Sequence, residues 1–190
     1  CTVVSEVLSP SGGVLAVRRS VVPMAGGGRF TFRQQAWVHD PQLWELETPR
    51  LYAVRTRIEA DGRQTDLYET PFGIRDVEMT PEAGLKLNGR KVFVKGVCLH
   101  HDLGALGAAA FEDGFARRLE RLKQMGCNAI RLSHNVFPKY VLEWCDRNGM
   151  LVYDEMYDKW SGQFYGEGAD FERYWRRDMG LWLQRDRNHP

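Results

Sequence analysis

The sequence has no closely spaced cysteine pair, no long apolar run and almost no net charge. Its four cysteines lack the C-x-x-C spacing of many zinc and redox sites, so we interpret them as unpaired thiols and predict no metal site. The apolar stretches fall well short of the roughly 20 residues that a bilayer span needs, which argues against a membrane partner. With 26 basic and 25 acidic residues, the net charge of +1 also argues against a nucleic-acid partner.

The composition is that of an ordinary folded domain, with 43% hydrophobic and 27% charged residues. Cys1 leads almost directly into an apolar run, and Pro190 follows just beyond a helical pattern. We therefore expect the sequence to be a piece of a longer protein. No targeting signal is recognised, so the compartment stays unknown, with the periplasm or cytoplasm of a bacterium as the expectation.

The first 80 residues are typical of an antiparallel β-sandwich. Asp61-Gly62 lies between two alternating runs, and this dipeptide favours a tight hairpin because both central positions need positive φ. Several short strands at such spacing predict a sandwich of immunoglobulin type over residues 1–80. The predicted strands are 3–8, 14–22, 30–39, 51–59 and 65–75.

From about residue 85 the pattern changes, because apolar runs now alternate with segments of helical period. This alternation predicts a parallel sheet with crossover helices. The predicted strands are 92–98, 128–132 and 150–154, and the predicted helices are 112–125, 138–148 and 170–187. Three such units predict the first part of a (β/α)₈ TIM barrel over residues 81–190.

Polar residues follow each predicted barrel strand, where the barrel's working face would lie. His134 and Asn135 could bond sugar hydroxyls, or His134 could simply cap the next helix. Glu155 could take part in chemistry or form a structural ion pair with Arg131 or Lys95. The three predicted clusters are His100, His101 and Asp102; Ser133, His134 and Asn135; and Glu155, Asp158 and Trp160.

Two of these features carry further alternatives. His100 and His101 are neighbours, so in extended backbone they face opposite sides and cannot both line one pocket; their spacing is also wrong for a helical zinc pair. Trp160, with Phe164 and Tyr165, could form a platform for the apolar face of a sugar or could pack on a neighbouring loop.

At this point the sequence resembles glycoside hydrolase family 2, of the β-galactosidase type. The resemblance is most specific from Asn128 to Glu155. Its motifs are Phe72-Gly73-Ile74-Arg75, Leu87-Asn88-Gly89-Arg90, Lys95 to Asp102, Asn128 to Asn135, Cys145 to Gly149, and Tyr153-Asp154-Glu155.

The resemblance implies an immunoglobulin-like sandwich followed by a barrel that hydrolyses β-linked sugars with retention. Two glutamates roughly 5 Å apart would serve as acid/base and nucleophile. Because the segment from Arg185 to Pro190 resembles the one just before the family's fourth strand, both catalytic glutamates are expected beyond Pro190. We therefore assign no catalytic residue within this sequence and expect the 190 residues alone to be inactive.

What the resemblance does assign is substrate binding. His134 resembles the histidine that binds the sugar and stabilises the transition state, and Arg131 resembles the arginine near the nucleophile. His101 and Asp102 match positions that contact the terminal sugar. The predicted substrate-binding residues are His134, Asn135, Arg131, His101, Asp102, Glu155 and Trp160.

The resemblance also ranks the substrates. The run from Leu103 to Gly107 favours a terminal β-D-galactosyl residue, with glucuronic acid second and mannose third. No cofactor is required, while a divalent or monovalent cation and a homo-oligomeric state of the full-length enzyme are left open. The rival from another class is a non-catalytic carbohydrate-binding module.

Overall fold

The computed structural model describes residues 1–24, 26–161 and 167–190, and the chain divides into two compact units. The first unit comprises Cys1–Trp44, Arg50–Ile74 and Pro190, and the second comprises Glu45–Pro49 and Arg75–His189. The domain boundary predicted at residue 80 stays a prediction. Across the described ranges, no helix has both the length and the apolar character needed to cross a bilayer.

The first unit is built on a four-stranded antiparallel sheet in the order β2-β1-β3-β4. Asp61 and Gly62 have φ values of 51° and 72°, so they form the primed turn that their sequence predicts. The strands are β1 (Thr2–Leu8), β2 (Val14–Val21), β3 (Leu51–Ala60) and β4 (Arg63–Gly73).

One face of this sheet carries an alternating array of charges across all four strands. Glu6 of β1 lies 3.8 Å from Arg55 and 3.5 Å from Arg57 of β3. The array continues through Glu59 to Arg19 and through Glu69 on β4. Such opposite-charge pairs each add roughly 0.2–1 kcal/mol to strand pairing, so they help to fix the register.

The strand predicted over residues 30–39 is wrong, because this segment is irregular. Side-chain bonds hold it beside β2, where Arg18 Nε donates to the Gln35 carbonyl at 2.6 Å and Gln34 Nε2 donates to Ser20 Oγ at 3.0 Å. Alternating apolar residues supply strand propensity, but a strand also needs a backbone ladder with a neighbour.

The second unit begins with a small antiparallel sheet in the order β5-β6-β7. Its second hairpin turns at Asn88 and Gly89, both with positive φ. A parallel sheet in the order β10-β9-β8 follows, with helices in the crossovers. The elements are β5 (Val77–Thr80), β6 (Gly84–Leu87), β7 (Arg90–Lys91), β8 (Gly96–Leu99), α1 (Glu112–Gln124), β9 (Ala129–Leu132), α2 (Lys139–Asn148), β10 (Leu151–Asp154) and α3 (Glu167–Asp186).

The first barrel strand is shorter than the run over 92–98 that predicts it. The Asn128 side chain accepts from the Lys95 amide at 2.8 Å and donates to the Phe93 carbonyl at 2.9 Å. These bonds satisfy the backbone just before Gly96, so the parallel ladder with β9 starts only there.

The core of the second unit forms where α1 and α2 pack on β8 and β9. Phe115 and Leu119 lie one turn apart on α1, so they face the sheet together. Gly149 ends α2 in the left-handed conformation with φ of 65°. The buried cluster comprises Leu99, Phe115, Leu119, Ile130, Leu132, Phe137, Val141, Leu142, Cys145 and Met150.

The register of the parallel strands brings their carboxyl ends to a common edge. Leu99, Leu132 and Asp154 lie side by side at the last paired position of β8, β9 and β10. Because Leu99 and Leu132 are buried against the helices, this row faces the helix layer. The next residue along each strand therefore turns to the other face, which is the face of the barrel interior.

Replacing Phe115 by alanine should lower the free energy of unfolding by roughly 3–5 kcal/mol, because its ring is 1% exposed and its loss leaves a cavity. Urea unfolding followed by tryptophan fluorescence measures the change. The matched control is Phe111→Ala, whose ring is 56% exposed and should cost less than about 1 kcal/mol. If the two variants lose the same free energy of unfolding, this core is not formed as described.

Candidate functional site

The centre of the candidate site is the carboxylate of Glu155, immediately after β10. Arg131 Nε, on β9, donates to Glu155 Oε1 at 2.6 Å, and His134 Nδ1, after β9, lies 3.0 Å from Oε2. The Glu155 side chain is only 15% exposed. Both carboxylate oxygens are therefore engaged, and the two strand ends are joined through side chains.

The contact with Glu155 also determines how His134 presents its ring. An ionised carboxylate only accepts hydrogen bonds, so Nδ1 of His134 donates and carries the proton. Nε2 lies on the other side of the ring, and the side chain is 35% exposed. Within the part of the chain that the structure describes, the hydrogen bond of this ring is the one at Nδ1, so Nε2 can serve a ligand at the strand ends. The peptide bond between Ser133 and His134 is cis.

The electrostatics of the cluster keep Glu155 ionised. Burial by itself would raise the pKa of Glu155, but the hydrogen bonds from Arg131 and His134 outweigh it and the pKa is lowered. The pKa of Arg131 is raised, chiefly by the bond to Glu155 and next by the bond to Cys98 Sγ at 3.7 Å. A carboxylate in this state is suited to orienting its donors and unsuited to donating a proton.

Two further residues border this cluster, although the sequence analysis assigned them no binding role. The His100 ring meets the His134 ring edge to face, with centroids 5.2 Å apart. Asp158 bonds Lys159 at 2.5 Å, and this bond, with smaller contributions from His134 and His100, lowers the pKa of Asp158. Strand alternation could have identified His100, because it lies two residues beyond Cys98 and so shares the interior face with Arg131.

The predicted residues His101 and Asp102 make contacts with groups other than Glu155. The His101 ring packs on Phe137 of the core, with centroids 3.9 Å apart, and burial lowers its pKa. The Asp102 side chain accepts from the Gly104 amide at 2.8 Å and stabilises the turn after β8. The two neighbouring histidines therefore have different surroundings, and sugar contacts of His101 and Asp102 stay predictions.

The remaining predicted residues lie beside the cluster in the chain. Asn135 follows His134 and is half-buried. Trp160 is 69% exposed and lies 6.3 Å from the ring of Phe171 on α3. Phe164 and Tyr165, the other members of the predicted platform, lie outside the described residues. Roles for Asn135 and Trp160 in binding stay predictions.

Asp154 has a different role from its neighbour Glu155. Trp182 Nε1, on α3, donates to Asp154 Oδ2 at 2.6 Å, so this carboxylate is held in the helix layer. Burial raises the pKa of Asp154, whereas that of Glu155 is lowered. Among the residues described, no group of three or more His, Cys, Asp or Glu side chains is arranged to hold a metal ion.

Two family models match the chain and together span nearly all of it. The model described as "Glycosyl hydrolases family 2, TIM barrel domain" matches residues 77–190. The model described as "Glycosyl hydrolases family 2" matches residues 2–75. The predicted order, a sandwich domain followed by the start of a TIM barrel, is therefore confirmed.

Individual proteins agree with these matches. The chain is 41% identical over its whole length to the beta-galactosidase BoGH2A of Bacteroides ovatus, of which it covers 22%. It is 38% identical over 97% of its length to a putative beta-glucuronidase of Formosa agariphila, of which it covers 18%. It also superposes over its whole length, with a TM-score of 0.85 and 35% identity, on 25% of a glycosyl hydrolase family 2 member from Bacteroides cellulosilyticus. The chain thus spans between about a fifth and a quarter of the length of these relatives.

Replacing Arg131 by glutamine should destabilise the protein in a pH-dependent way. Because the folded-state pKa of Glu155 lies below its ordinary value of 4.5, its stabilising contribution is present above that pH and is lost as pH falls through the folded-state pKa. The stability difference between wild type and Arg131→Gln should therefore shrink on going from about pH 7 to about pH 3. Urea unfolding at each pH measures it.

The control for this experiment is Arg121→Gln, on the exposed surface of α1. Its stability difference from wild type should change little with pH, since Arg121 bonds the neutral side chain of Gln124. If the stability difference between wild type and Arg131→Gln does not vary with pH, the ion pair between Arg131 and Glu155 is contradicted.

Proposed function

This chain belongs to glycosyl hydrolase family 2, and from that membership we propose that the whole enzyme is a retaining glycosidase that removes terminal β-D-galactosyl residues. The strand ends of β8, β9 and β10 form one side of its sugar site. The observation that carries the proposal is the Glu155 carboxylate, held by Arg131 and His134 where barrel enzymes bind substrate.

In this proposal Glu155 is a supporting residue and takes no direct part in bond breaking. A general acid needs a pKa raised towards the working pH, and that of Glu155 is lowered. Both of its oxygens already accept hydrogen bonds, which leaves it poorly placed to attack a sugar. As the family resemblance implies, we assign the two catalytic carboxylates, roughly 5 Å apart in a retaining enzyme, to later barrel strands of the whole enzyme.

His134 has the direct role in binding. With Nδ1 donating to Glu155, its Nε2 can accept a hydrogen bond from a hydroxyl of the sugar. As positive charge develops on the sugar ring in the transition state, that hydroxyl becomes a stronger donor to Nε2, and the Glu155 carboxylate stabilises the partial positive charge that the imidazole takes on. This chemistry uses side chains alone and requires no cofactor.

The charges at this edge favour a neutral sugar. Arg131 is paired with Glu155, and Lys159 is paired with Asp158, so both cations are already matched by carboxylates. A glucuronic acid would bring a further negative charge to these paired groups, and burying a charge without a partner is costly. The chain is 41% identical to a beta-galactosidase and 38% identical to a putative beta-glucuronidase, so sequence identity supports the two sugars about equally and the choice rests on the charges.

The substrate choice predicts a ranking of three test compounds. The whole enzyme should hydrolyse nitrophenyl β-D-galactoside with a kcat/KM at least about tenfold above the values for the glucuronide and the mannoside. Release of nitrophenol under identical conditions measures all three. A preference for the glucuronide would show that the substrate sugar is glucuronic acid and not galactose. Sugar binding without any turnover would favour the carbohydrate-binding module.

Replacing His134 by alanine in the whole enzyme should lower kcat by roughly 100-fold and change KM much less, because its contacts strengthen in the transition state. Steady-state kinetics on the preferred nitrophenyl glycoside separate the two constants. The control is His39→Ala, an exposed histidine of the first unit, which should leave both constants unchanged. An unchanged kcat with a raised KM would reject this role for His134.

A further inference from the structure

We propose that Arg185 is a positioning residue that sets the geometry of the His134–Glu155 pair from the helix layer. The inference rests on the proposed function, because it concerns the same sugar site. Arg185 lies in the last turn of α3. Its contacts, and those of Trp182 one turn earlier, reach the two backbone segments that carry His134 and Glu155.

The first contact fixes the segment after β9. Arg185 Nη1 donates to the Phe137 carbonyl at 2.8 Å. Phe137 ends the short segment that begins at Ser133 and includes His134 and Asn135. Its ring is 1% exposed and packs against Phe115. One end of the segment is thus held by the core and by the guanidinium, which limits the positions open to His134.

The second contact fixes the guanidinium itself. Arg185 Nε and Nη2 each donate at 2.6 Å to the two oxygens of Asp186. A paired arrangement of this kind restrains both the position and the plane of the guanidinium, which a single ammonium group cannot achieve. The Asp186 side chain is 10% exposed, so little water competes for these bonds.

The third contact holds the segment that carries Glu155, the second member of the His134–Glu155 pair. Trp182 is three residues before Arg185, so both side chains lie on the same side of α3. Its Nε1 donates to Asp154 at 2.6 Å, and Asp154 directly precedes Glu155. The end of α3 therefore contacts the Asp154 side chain, next to Glu155, and the Phe137 carbonyl, three residues after His134. Glu155 and His134 are themselves joined by a hydrogen bond of 3.0 Å.

This arrangement implies an effect on catalysis without any contact between Arg185 and the sugar. Misplacing a binding group by about 1 Å can cost roughly 100-fold in rate. Without Arg185 the segment from 133 to 137 loses the bond from Arg185 to Phe137, whereas the bond from Trp182 to Asp154, next to Glu155, remains. The two partners are then no longer fixed to the same element.

A double-mutant cycle in the whole enzyme tests the inference. Arg185→Ala should lower kcat by at least roughly 30-fold with a much smaller change in KM. In the His134→Ala background the same change should cost less than about threefold, because the group that Arg185 positions is already gone. If Arg185→Ala lowers kcat by the same factor in the wild type and in the His134→Ala variant, the proposal is overturned.

The matched control is Arg187→Ala, on the exposed side of the same helix end, which should leave kcat within about twofold of its starting value in both backgrounds. Arg185→Lys covers the case in which the alanine variant fails to fold. It keeps the charge beside Asp186 but cannot chelate that carboxylate and also reach Phe137, so kcat should fall at an unchanged thermal midpoint. Full activity of this variant would overturn the proposal.

A further readout separates positioning from general destabilisation. Added guanidinium ion should restore part of the kcat of Arg185→Ala and none of that of His134→Ala, whereas a purely structural loss would not respond. A wild-type enzyme that hydrolyses no nitrophenyl glycoside would overturn both the proposed function and this inference. If the wild-type enzyme is active but the losses of kcat from the two substitutions are independent of each other, the inference alone is overturned.

Discussion

The hydrogen bonds that Glu155 accepts from Arg131 and His134 are the constraint on which the site depends. They join residues from two neighbouring strands, keep the carboxylate ionised and fix which nitrogen of His134 faces a ligand. Without them, burial would favour a protonated Glu155 and leave an arginine at the strand ends without its partner. The polar edge is therefore one connected network, and its parts cannot be altered independently.

Strand alternation divides the polar residues between two sides of the sheet. Asp154 bonds Trp182 in the helix layer, and Glu155, one residue later, faces the interior. The same division separates His101, which packs on Phe137, from His100, which meets His134. The helix side supplies supporting contacts, including those from the end of α3, and the interior side supplies the groups that we propose to bind a ligand.

Prediction from sequence succeeded where the signal is local and failed where it depends on a distant neighbour. Each barrel strand and helix was found because apolar runs alternate with helical stripes such as Phe115 and Leu119. The segment over 30–39 has the same apolar alternation as a strand, yet side-chain bonds to β2 hold it instead of a ladder. Local pattern records which residues prefer to be buried, but it does not record which backbone groups find a partner.

The sequence by itself determined the order of the elements, the positive-φ turns at Asp61 and Asn88, and the polar residues that end each barrel strand. Its motifs also determined the family. Only the tertiary structure decided that the His101 ring packs on Phe137, and that Arg185 reaches Phe137 across 48 positions of the chain. The physical reason is that periodicity sets the side of an element on which a residue lies, whereas packing sets what it meets there.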